Sequence, residues 1–328
     1  MKHLYIIGNG FDIHHRIPSR YQDFKKWLLE NDEDTHNSIV EIFGADEPTW
    51  WKEFESRLGE PFPIQQYAEN ISFENQPDYG SDDYRDRDLY AAEYEVERKL
   101  GGLIDSLKSD FQQWASELPL GNGDLSIKME TNDAFFLTFN YSLTLERLYR
   151  IPQNRILHIH GDALNKETIV VGHGCDYSAF RDNLNNDIPE PPDDLQSAEY
   201  SRWLDEIVPF YSDDYPTSQA KDAAAYAMMA MWKNVHGIIE KNKAFFHSLS
   251  GVEFIHVYGF SFADVDIPYL LEVIKNVDLP NVEMEISYYS DDDKKRIQHF
   301  LDGIPTLKSY RLVNLMDLLR IKQQSLFN

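Results

Sequence analysis

The sequence predicts an α/β fold built on a mostly parallel sheet. The first indication is a set of short, largely apolar runs, which is typical of strands that are covered on both faces. The second is that five of these runs lead into polar turns: "GNGFD", "TFNYS", "HIHGD", "VGHG" and "YGFSFADVD". In an open parallel sheet, ligands bind beyond the carboxyl ends of the strands, so these turns predict one binding edge. The predicted strands are residues 4–7, 134–138, 156–160, 169–171, 254–258, 283–289 and a stretch around 310–313.

Long helical segments separate these strands. Residues 20–30 carry Tyr21, Phe24, Trp27 and Leu28 at helical spacing, and residues 86–118 and 220–248 are helical in composition. We therefore predict a single α/β domain, residues 1–328, whose Rossmann-like sheet core comprises residues 1–30, 131–176 and 250–328. Two largely helical insertions, residues 31–130 and 177–249, interrupt this core.

Charge and composition exclude several classes of protein. The formal net charge of −25 repels a phosphodiester backbone, so we expect no nucleic-acid partner. The single cysteine, Cys175, cannot form an intrachain disulfide or a zinc site with several thiolates. The opening apolar run is too short for a signal peptide, and no run reaches the roughly 18–20 residues of a membrane span. We expect a cytoplasmic protein with no membrane partner.

The first turn contains the residues of an incomplete phosphate-binding loop. Gly8 permits a sharp turn after the strand, Gly10 would let a ligand approach the backbone, and a helix that starts near Phe11 would direct its amides at a phosphate. The third glycine of the dinucleotide fingerprint is missing, so a plain strand-to-helix turn remains the alternative. Asp12 is either a residue of the first helical turn or a ligand contact.

The second and third turns carry side chains that suit sugar chemistry. Asn140 follows a strand that ends at Thr138, ahead of a helix expected from Tyr141 or Ser142, and its amide can hold a water or a sugar hydroxyl. His160 is a candidate acid or base, and Gly161 would let a ligand approach.

Metal binding is the alternative for this histidine-rich segment. His158 and His160 would share one face of a strand, and His173 could complete a metal site with them. We prefer the acid–base role and expect no metal.

The fourth turn combines Gly259 and Ser261 ahead of another helix. Asp264 and Asp266 could cap that helix, or their carboxylates could bind ribose hydroxyls.

Together these motifs resemble a known family. The segments "IIGNGFDIHHRIPSRYQDF", "FLTFNYSLTLERLY", "LHIHG", "VVGHG" and "VYGFSFADVDIPYL" are similar, in this order, to the motif set of the AbiH family of bacteriophage abortive-infection proteins. The resemblance extends from Ile6 to about Tyr289. The same motifs resemble, more distantly, the NAD-binding domains of sirtuins, which implies a sirtuin-like core.

The resemblance to sirtuins implies roles for individual residues. Gly8 and Gly10 match the first glycines of the NAD loop, with Asn9 replacing an alanine and Asp12 replacing a serine, so the loop from Gly8 through Phe11 to Asp12 would bind the diphosphate. Further matches are Thr138 and Asn140 in the second turn, the catalytic pair His160 and Gly161, and the ribose-binding loop with Gly259, Ser261 and Asp264.

Two departures from the sirtuin pattern narrow the expected activity. Ser142 stands where a sirtuin carries the aspartate that recognises nicotinamide, and the four-cysteine zinc module is absent. We therefore expect an NAD glycohydrolase of phage defence rather than a deacetylase, with Asn140 and His160 as catalytic residues and NAD as the substrate. The alternative, which the absence of aspartate at position 142 favours, is a non-catalytic NAD- or nucleotide-sensing module of a defence complex. We expect autoinhibition through the helical insertions or through oligomerisation, with a second copy or a defence-system protein as partner.

Overall fold

The computed structural model describes residues 1–47, 49–165, 168–181, 191–192, 196–207 and 213–320. Its backbone forms two compact units. The first comprises Met1–Trp27, Asp110–Val171 and Asn234–Asn328, and the second comprises Leu28–Ser109 and Gly172–Lys233. Both units are discontinuous in sequence, as the predicted core and insertions are, although the boundaries lie at different residues.

The first unit contains a six-stranded sheet, and all of its described strands are parallel. The strands are β1 (His3–Ile7), β2 (Ala134–Thr138), β3 (Ile156–His158), β4 (Phe254–Tyr258), β5 (Glu283–Ser287) and β6 (Ser309–Val313). Their order across the sheet is β3-β2-β1-β4-β5-β6. This is the strand order of the doubly wound Rossmann fold, in which the order reverses beside the first strand. The predicted α/β, Rossmann-like fold is confirmed.

The register brings the carboxyl ends of the central strands to one level. Ile7, the last residue of β1, pairs with Thr138 at the end of β2 and with Tyr258 at the end of β4. Thr138 in turn pairs with His158 at the end of β3. The turns that follow these four strands therefore start side by side.

Alternate residues of the central strand pack into two apolar clusters. Leu4 and Ile6 lie in a cluster that includes buried residues of the helices after β3 and β4, whereas Tyr5 and Ile7 lie in a second cluster with Phe11. Both faces of β1 are thus buried, which explains its unbroken apolar sequence. Each fully buried leucine or isoleucine contributes about 1.5–3 kcal/mol to the free energy of folding.

The helices follow the strands in the first unit and make up most of the second. In chain order they are α1 (Asn9–His14), α2 (Tyr21–Asn31), α3 (Glu33–Phe43), α4 (Phe54–Leu58), α5 (Pro61–Glu74), α6 (Ala91–Val96), α7 (Gly102–Glu117), α8 (Thr144–Arg147), α9 (Tyr177–Phe180), α10 (Ser197–Ile207), α11 (Tyr215–Met229), α12 (Val235–Lys241), α13 (Lys243–His247), α14 (Ile267–Lys275) and α15 (Asp291–Asp302). The two unit boundaries before Asp110 and after Trp27 fall within α7 and α2. No helix of the described segments is long and apolar enough to cross a membrane.

Several predicted elements differ from the structure: the strand predicted at 283–289 ends at Ser287, and three further differences each have a local reason. The third strand ends at His158 rather than at residue 160, because the amide of Gly161 bonds back to the His158 carbonyl at 3.2 Å and closes a turn. Residues 169–171 form no strand in the described chain, since Val170 pairs instead with the carbonyl of His160 and with the Tyr141 hydroxyl. The helix after β2 begins at Thr144, later than Tyr141 or Ser142.

Candidate functional site

The turns after β1 and β4 are in direct backbone contact. The amide of Gly8 donates to the Tyr258 carbonyl at 3.0 Å, and the amide of Gly10 donates to the Gly259 carbonyl at 2.8 Å. Gly259 has a φ of +65°, and a Cβ atom there would lie 2.0 Å from the amide nitrogen of Phe11. The glycines therefore allow close packing of two turns at the point where the strand order reverses.

This contact changes the interpretation of the predicted phosphate loop. Besides Gly8 and Gly10, the amide of Phe11 donates to the Gly8 carbonyl at 2.9 Å, so three amides of the loop already donate to backbone. Phe11 is fully buried against His15 and Tyr149. Asn9 is exposed, and its side chain exchanges hydrogen bonds with Ser19. The close approach that the sequence assigned to a ligand is occupied by protein backbone.

Asp12 forms the centre of a buried polar cluster. It lies in α1 with only 1% of its surface exposed, and the Thr144 hydroxyl donates to its Oδ1 at 2.9 Å. Ser142 extends the cluster through a hydrogen bond of 2.9 Å to Thr144. Burial raises the pKa of Asp12 to about 6, although Ser142, Thr144, Asn140 and the charge of His158 act in the opposite direction. The pKa of this carboxyl therefore lies closer to neutral pH than that of an ordinary aspartate, a shift that is common among residues of functional sites.

Asn140 lies in the same cluster with its side-chain amide available. Its backbone amide donates to the buried Thr138 hydroxyl at 3.1 Å. This hydrogen bond fixes the turn after β2 and gives the buried hydroxyl a partner. The Asn140 side chain is 6% exposed and lies close enough to Asp12 to lower the pKa of that carboxyl, but neither its oxygen nor its nitrogen makes a hydrogen bond of ordinary geometry among the described residues. A buried amide without partners costs about 1–3 kcal/mol, so such a group is a strong candidate for a ligand contact.

His158 joins the cluster from β3. Its Nδ1 lies 3.1 Å from the Asn140 carbonyl oxygen, and its Nε2 lies 2.8 Å from Glu146 Oε1. Burial lowers the pKa of His158, but the hydrogen bond and charge of Glu146 outweigh burial and raise it above the ordinary value. His158 is therefore a candidate positive charge in an otherwise acidic site.

His160 lies in different surroundings from His158. Its ring packs edge-on against Phe139 and Tyr269, it is 2% exposed, and its Nε2 lies 3.8 Å from Asp266 Oδ1. The prediction that His158 and His160 share one face of a strand is wrong, because the strand ends between them.

Gly161 packs against backbone, as the glycines of the first turn do. Its φ is +82°, and a Cβ atom there would lie 2.3 Å from the Thr168 carbonyl oxygen. The glycine is therefore required by the turn itself.

The fourth turn presents its polar side chains to solvent. Ser261 and Asp264 are both exposed. Asp266 immediately precedes α14 but makes no capping hydrogen bond with its side chain; its carboxylate faces His160 instead. Helix capping therefore does not account for Asp266.

The histidines that were considered as metal ligands have separate neighbours. His173 belongs to the second unit, where its Nε2 lies 3.1 Å from the Met228 carbonyl. Within the described parts of the chain, no group of three or more histidine, cysteine, aspartate or glutamate side chains is arranged to hold a metal ion.

Three residues of the site were not predicted as functional: Thr144, Glu146 and, as a hydrogen-bonding partner, Ser142. The spacing of Ser142, Thr144 and Glu146 at every second position is a signal that the sequence offers. It escapes a search for helical periodicity because α8 starts only at Thr144.

The fold and this site define a class of protein: a Rossmann-ordered α/β protein with a buried acid–amide cluster at the carboxyl edge of its sheet. The model of the family described as bacteriophage abortive infection AbiH matches residues 4–288. The chain belongs to the AbiH family, as its motifs indicated, and the family description associates it with abortive infection by bacteriophage. No curated protein and no solved structure matches it.

Proposed function

We propose that this AbiH protein is an NAD glycohydrolase, which cleaves the nicotinamide–ribose bond and depletes NAD in infected cells. The observation that carries the proposal is the buried Asn140 amide, which faces Asp12 and makes no hydrogen bond of ordinary geometry among the described residues. Both residues follow strands that end next to the point where the strand order reverses. Dinucleotides bind at this point in proteins with the same strand order.

The side chains of the cluster suit the chemistry of this cleavage. When the C1′–N bond breaks, nicotinamide leaves as a neutral base and the ribose acquires positive charge. An ionised Asp12 would stabilise that charge, because a carboxylate in a buried site acts with little screening. Asn140 would hold a ribose hydroxyl or the attacking water. Water adds to C1′, and its proton passes to a base of the site.

His160 remains the proposed base, with Asp266 as the residue that orients it. The 3.8 Å separation of Nε2 from Asp266 Oδ1 is long for a hydrogen bond, and such contacts often shorten only when substrate binds. Ser261 and Asp264 are exposed and would contact the distal ribose.

The sequence departures from sirtuins support the same proposal. In the sirtuin pattern, position 12 is a serine and position 142 an aspartate, whereas this chain has Asp12 and Ser142. The two side chains are linked through Thr144, so the exchange keeps one carboxylate in one cluster. We propose that Asp12 takes over the contact to nicotinamide that the residue at position 142 makes in sirtuins.

A second candidate is a module that binds NAD or a related nucleotide without cleaving it. The observation that favours it is the closed first turn, whose amides at Gly8, Gly10 and Phe11 donate to backbone rather than to a phosphate. In this case the cluster would recognise ribose but would not turn it over.

Incubation of the purified protein with NAD, with and without phage lysate, separates these candidates. A glycohydrolase releases nicotinamide and ADP-ribose in equal amounts, and Asn140→Ala and His160→Ala abolish the release. Saturable NAD binding without release under both conditions would favour the sensing module.

A further inference from the structure

We propose that His158 is a positioning residue that carries both ring protons at neutral pH, donating one to Asn140 and the other to Glu146. The inference deepens the proposed function, on which it relies only for the role of Asn140. The protonation of the ring rests on the local geometry and on the acidic groups around it.

The two partners of the ring are both acceptors. A backbone carbonyl oxygen and an ionised carboxylate have no proton to donate. The carbonyl of Asn140 lies 3.1 Å from Nδ1, and Oε1 of Glu146 lies 2.8 Å from Nε2. A neutral imidazole has one donor and one acceptor, so it would direct a lone pair at one of these oxygens. The doubly protonated ring satisfies both contacts when Glu146 is ionised, whereas a neutral ring would satisfy them only if Glu146 carried the shared proton.

Carboxyl groups from three elements surround the ring and favour its positive charge. Glu146 contributes from α8, Asp12 from α1 and Asp162 from the turn after β3. Asp162 is itself fixed, because its Oδ1 accepts hydrogen bonds from the amides of Leu164 and Asn165. Burial opposes the charge, and the acids outweigh it.

The charged ring holds Asn140 in place. The carbonyl of Asn140 is bound by His158, while its backbone amide is bound by the Thr138 hydroxyl. These two hydrogen bonds fix the backbone from which the side-chain amide extends towards Asp12. The positive charge also lowers the pKa of Asp12, so that more of this carboxyl is ionised. One residue thus positions the amide and favours the active charge state of the acid.

The chain offers a matched control in His15. This ring is also buried between two oxygens, with Nδ1 2.7 Å from the Phe11 carbonyl and Nε2 2.8 Å from the Tyr149 hydroxyl. A hydroxyl can donate as well as accept, so a neutral ring satisfies both contacts. Burial lowers the pKa of His15 to about 4, in agreement with a neutral ring.

Nitrogen NMR of histidine-labelled full-length protein tests the protonation directly. We expect both ring nitrogens of His158 to give protonated signals from pH 6 to 8, and His15 to give one protonated and one unprotonated signal. An unprotonated nitrogen in His158 at pH 7 would overturn the inference. This result does not depend on NAD cleavage, so it stands or falls separately from the proposed function.

Substitution of the same residue tests positioning. In His158→Gln we expect the side-chain amide signals of Asn140 to broaden, because its orientation is no longer fixed. If the wild-type protein cleaves NAD, kcat of His158→Gln should be about ten- to a hundredfold lower, with little change in KM. This is the range expected for the loss of a charge-assisted hydrogen bond. In Glu146→Gln the ring loses its counter-ion, and kcat should fall as pH rises from 6 to 8.

His14→Gln serves as the control variant. His14 is partly buried, and in the described part of the chain its ring forms a hydrogen bond with the Leu125 carbonyl. In this variant the Asn140 side-chain signals and kcat should therefore stay unchanged. If His158→Gln does not fold, the NMR signals of the wild-type protein and of Glu146→Gln still decide the question. Sharp Asn140 signals and an unchanged kcat in a folded His158→Gln variant would refute the positioning role.

Discussion

Replacing Asp12 by asparagine should make the protein more stable at neutral pH and less active. The ordinary pKa of the aspartate carboxyl is 3.8, and burial raises that of Asp12 to about 6 in the folded protein. Between these two values the folded state binds more protons than the unfolded state, so stability falls as the pH rises through this window. The ionised carboxyl therefore destabilises the native fold under the conditions in which we propose that it acts.

The difference between the two pKa values sets the size of the effect. A separation of about 2 units corresponds to about 3 kcal/mol at pH 8, where Asp12 is ionised in both states. At pH 5 the carboxyl of the folded protein is mostly protonated, and the same calculation gives a destabilisation about half as large as at pH 8. Asparagine keeps the shape of the side chain and an oxygen that can accept from Thr144.

Thermal unfolding of wild type and Asp12→Asn at pH 5, 6.5 and 8 measures this effect. We expect the variant to have the higher Tm at pH 8 and the advantage to shrink towards pH 5. Asp46→Asn, at an exposed turn, should leave the Tm unchanged at every pH. An Asp12→Asn variant that is less stable than wild type at pH 8 would refute the interpretation of Asp12 as a strained, buried acid.

Three further predictions follow from particular contacts. Asn140→Ala should change stability by no more than about 1 kcal/mol, because the amide faces Asp12 without a hydrogen bond of ordinary geometry, while nicotinamide release disappears; a large fall in Tm would contradict this. Thr144→Val removes the hydroxyl that donates to Asp12, so the acid limb of the pH–rate profile should move about one unit higher; an unchanged limb would show that Asp12 does not control it. Gly259→Ala should reduce soluble yield and Tm far more than Gly44→Ala. Both glycines have a φ of +65°, but only at Gly259 would a Cβ atom enter neighbouring backbone, so Gly44→Ala should cost only the roughly 1–2 kcal/mol of left-handed strain. Equal effects of the two substitutions would contradict the packing argument.

The sequence was sufficient to locate most of the strands, because the signals of a buried strand are local. A strand buried on both faces must be apolar throughout, and the predicted segment 134–138 coincides with β2 for this reason. Local signals do not determine the strand order, since β1 lies between β2 and β4 in the sheet, and both of these strands are more than 100 positions from β1 in the sequence. Only the structure shows that the turns after β1 and β4 meet.

The candidate site was predicted only in part, because some of its residues carry a local signal and others are brought together by the fold. Asn140 was identified from its position after a strand and its chemistry. The contact of Asp12 with Thr144 spans 132 positions, and no pattern in the chain records it. The glycines were correctly identified as sites of close approach, but sequence cannot distinguish an approaching ligand from the backbone of Gly259.

The direct test of the account is the release of nicotinamide from NAD by the purified, full-length protein. Chromatography should show nicotinamide and ADP-ribose formed in equal amounts by wild type, alone or after addition of phage lysate, and neither product from Asn140→Ala. An absence of nicotinamide from wild type under both conditions, with NAD recovered intact, would contradict the proposed glycohydrolase.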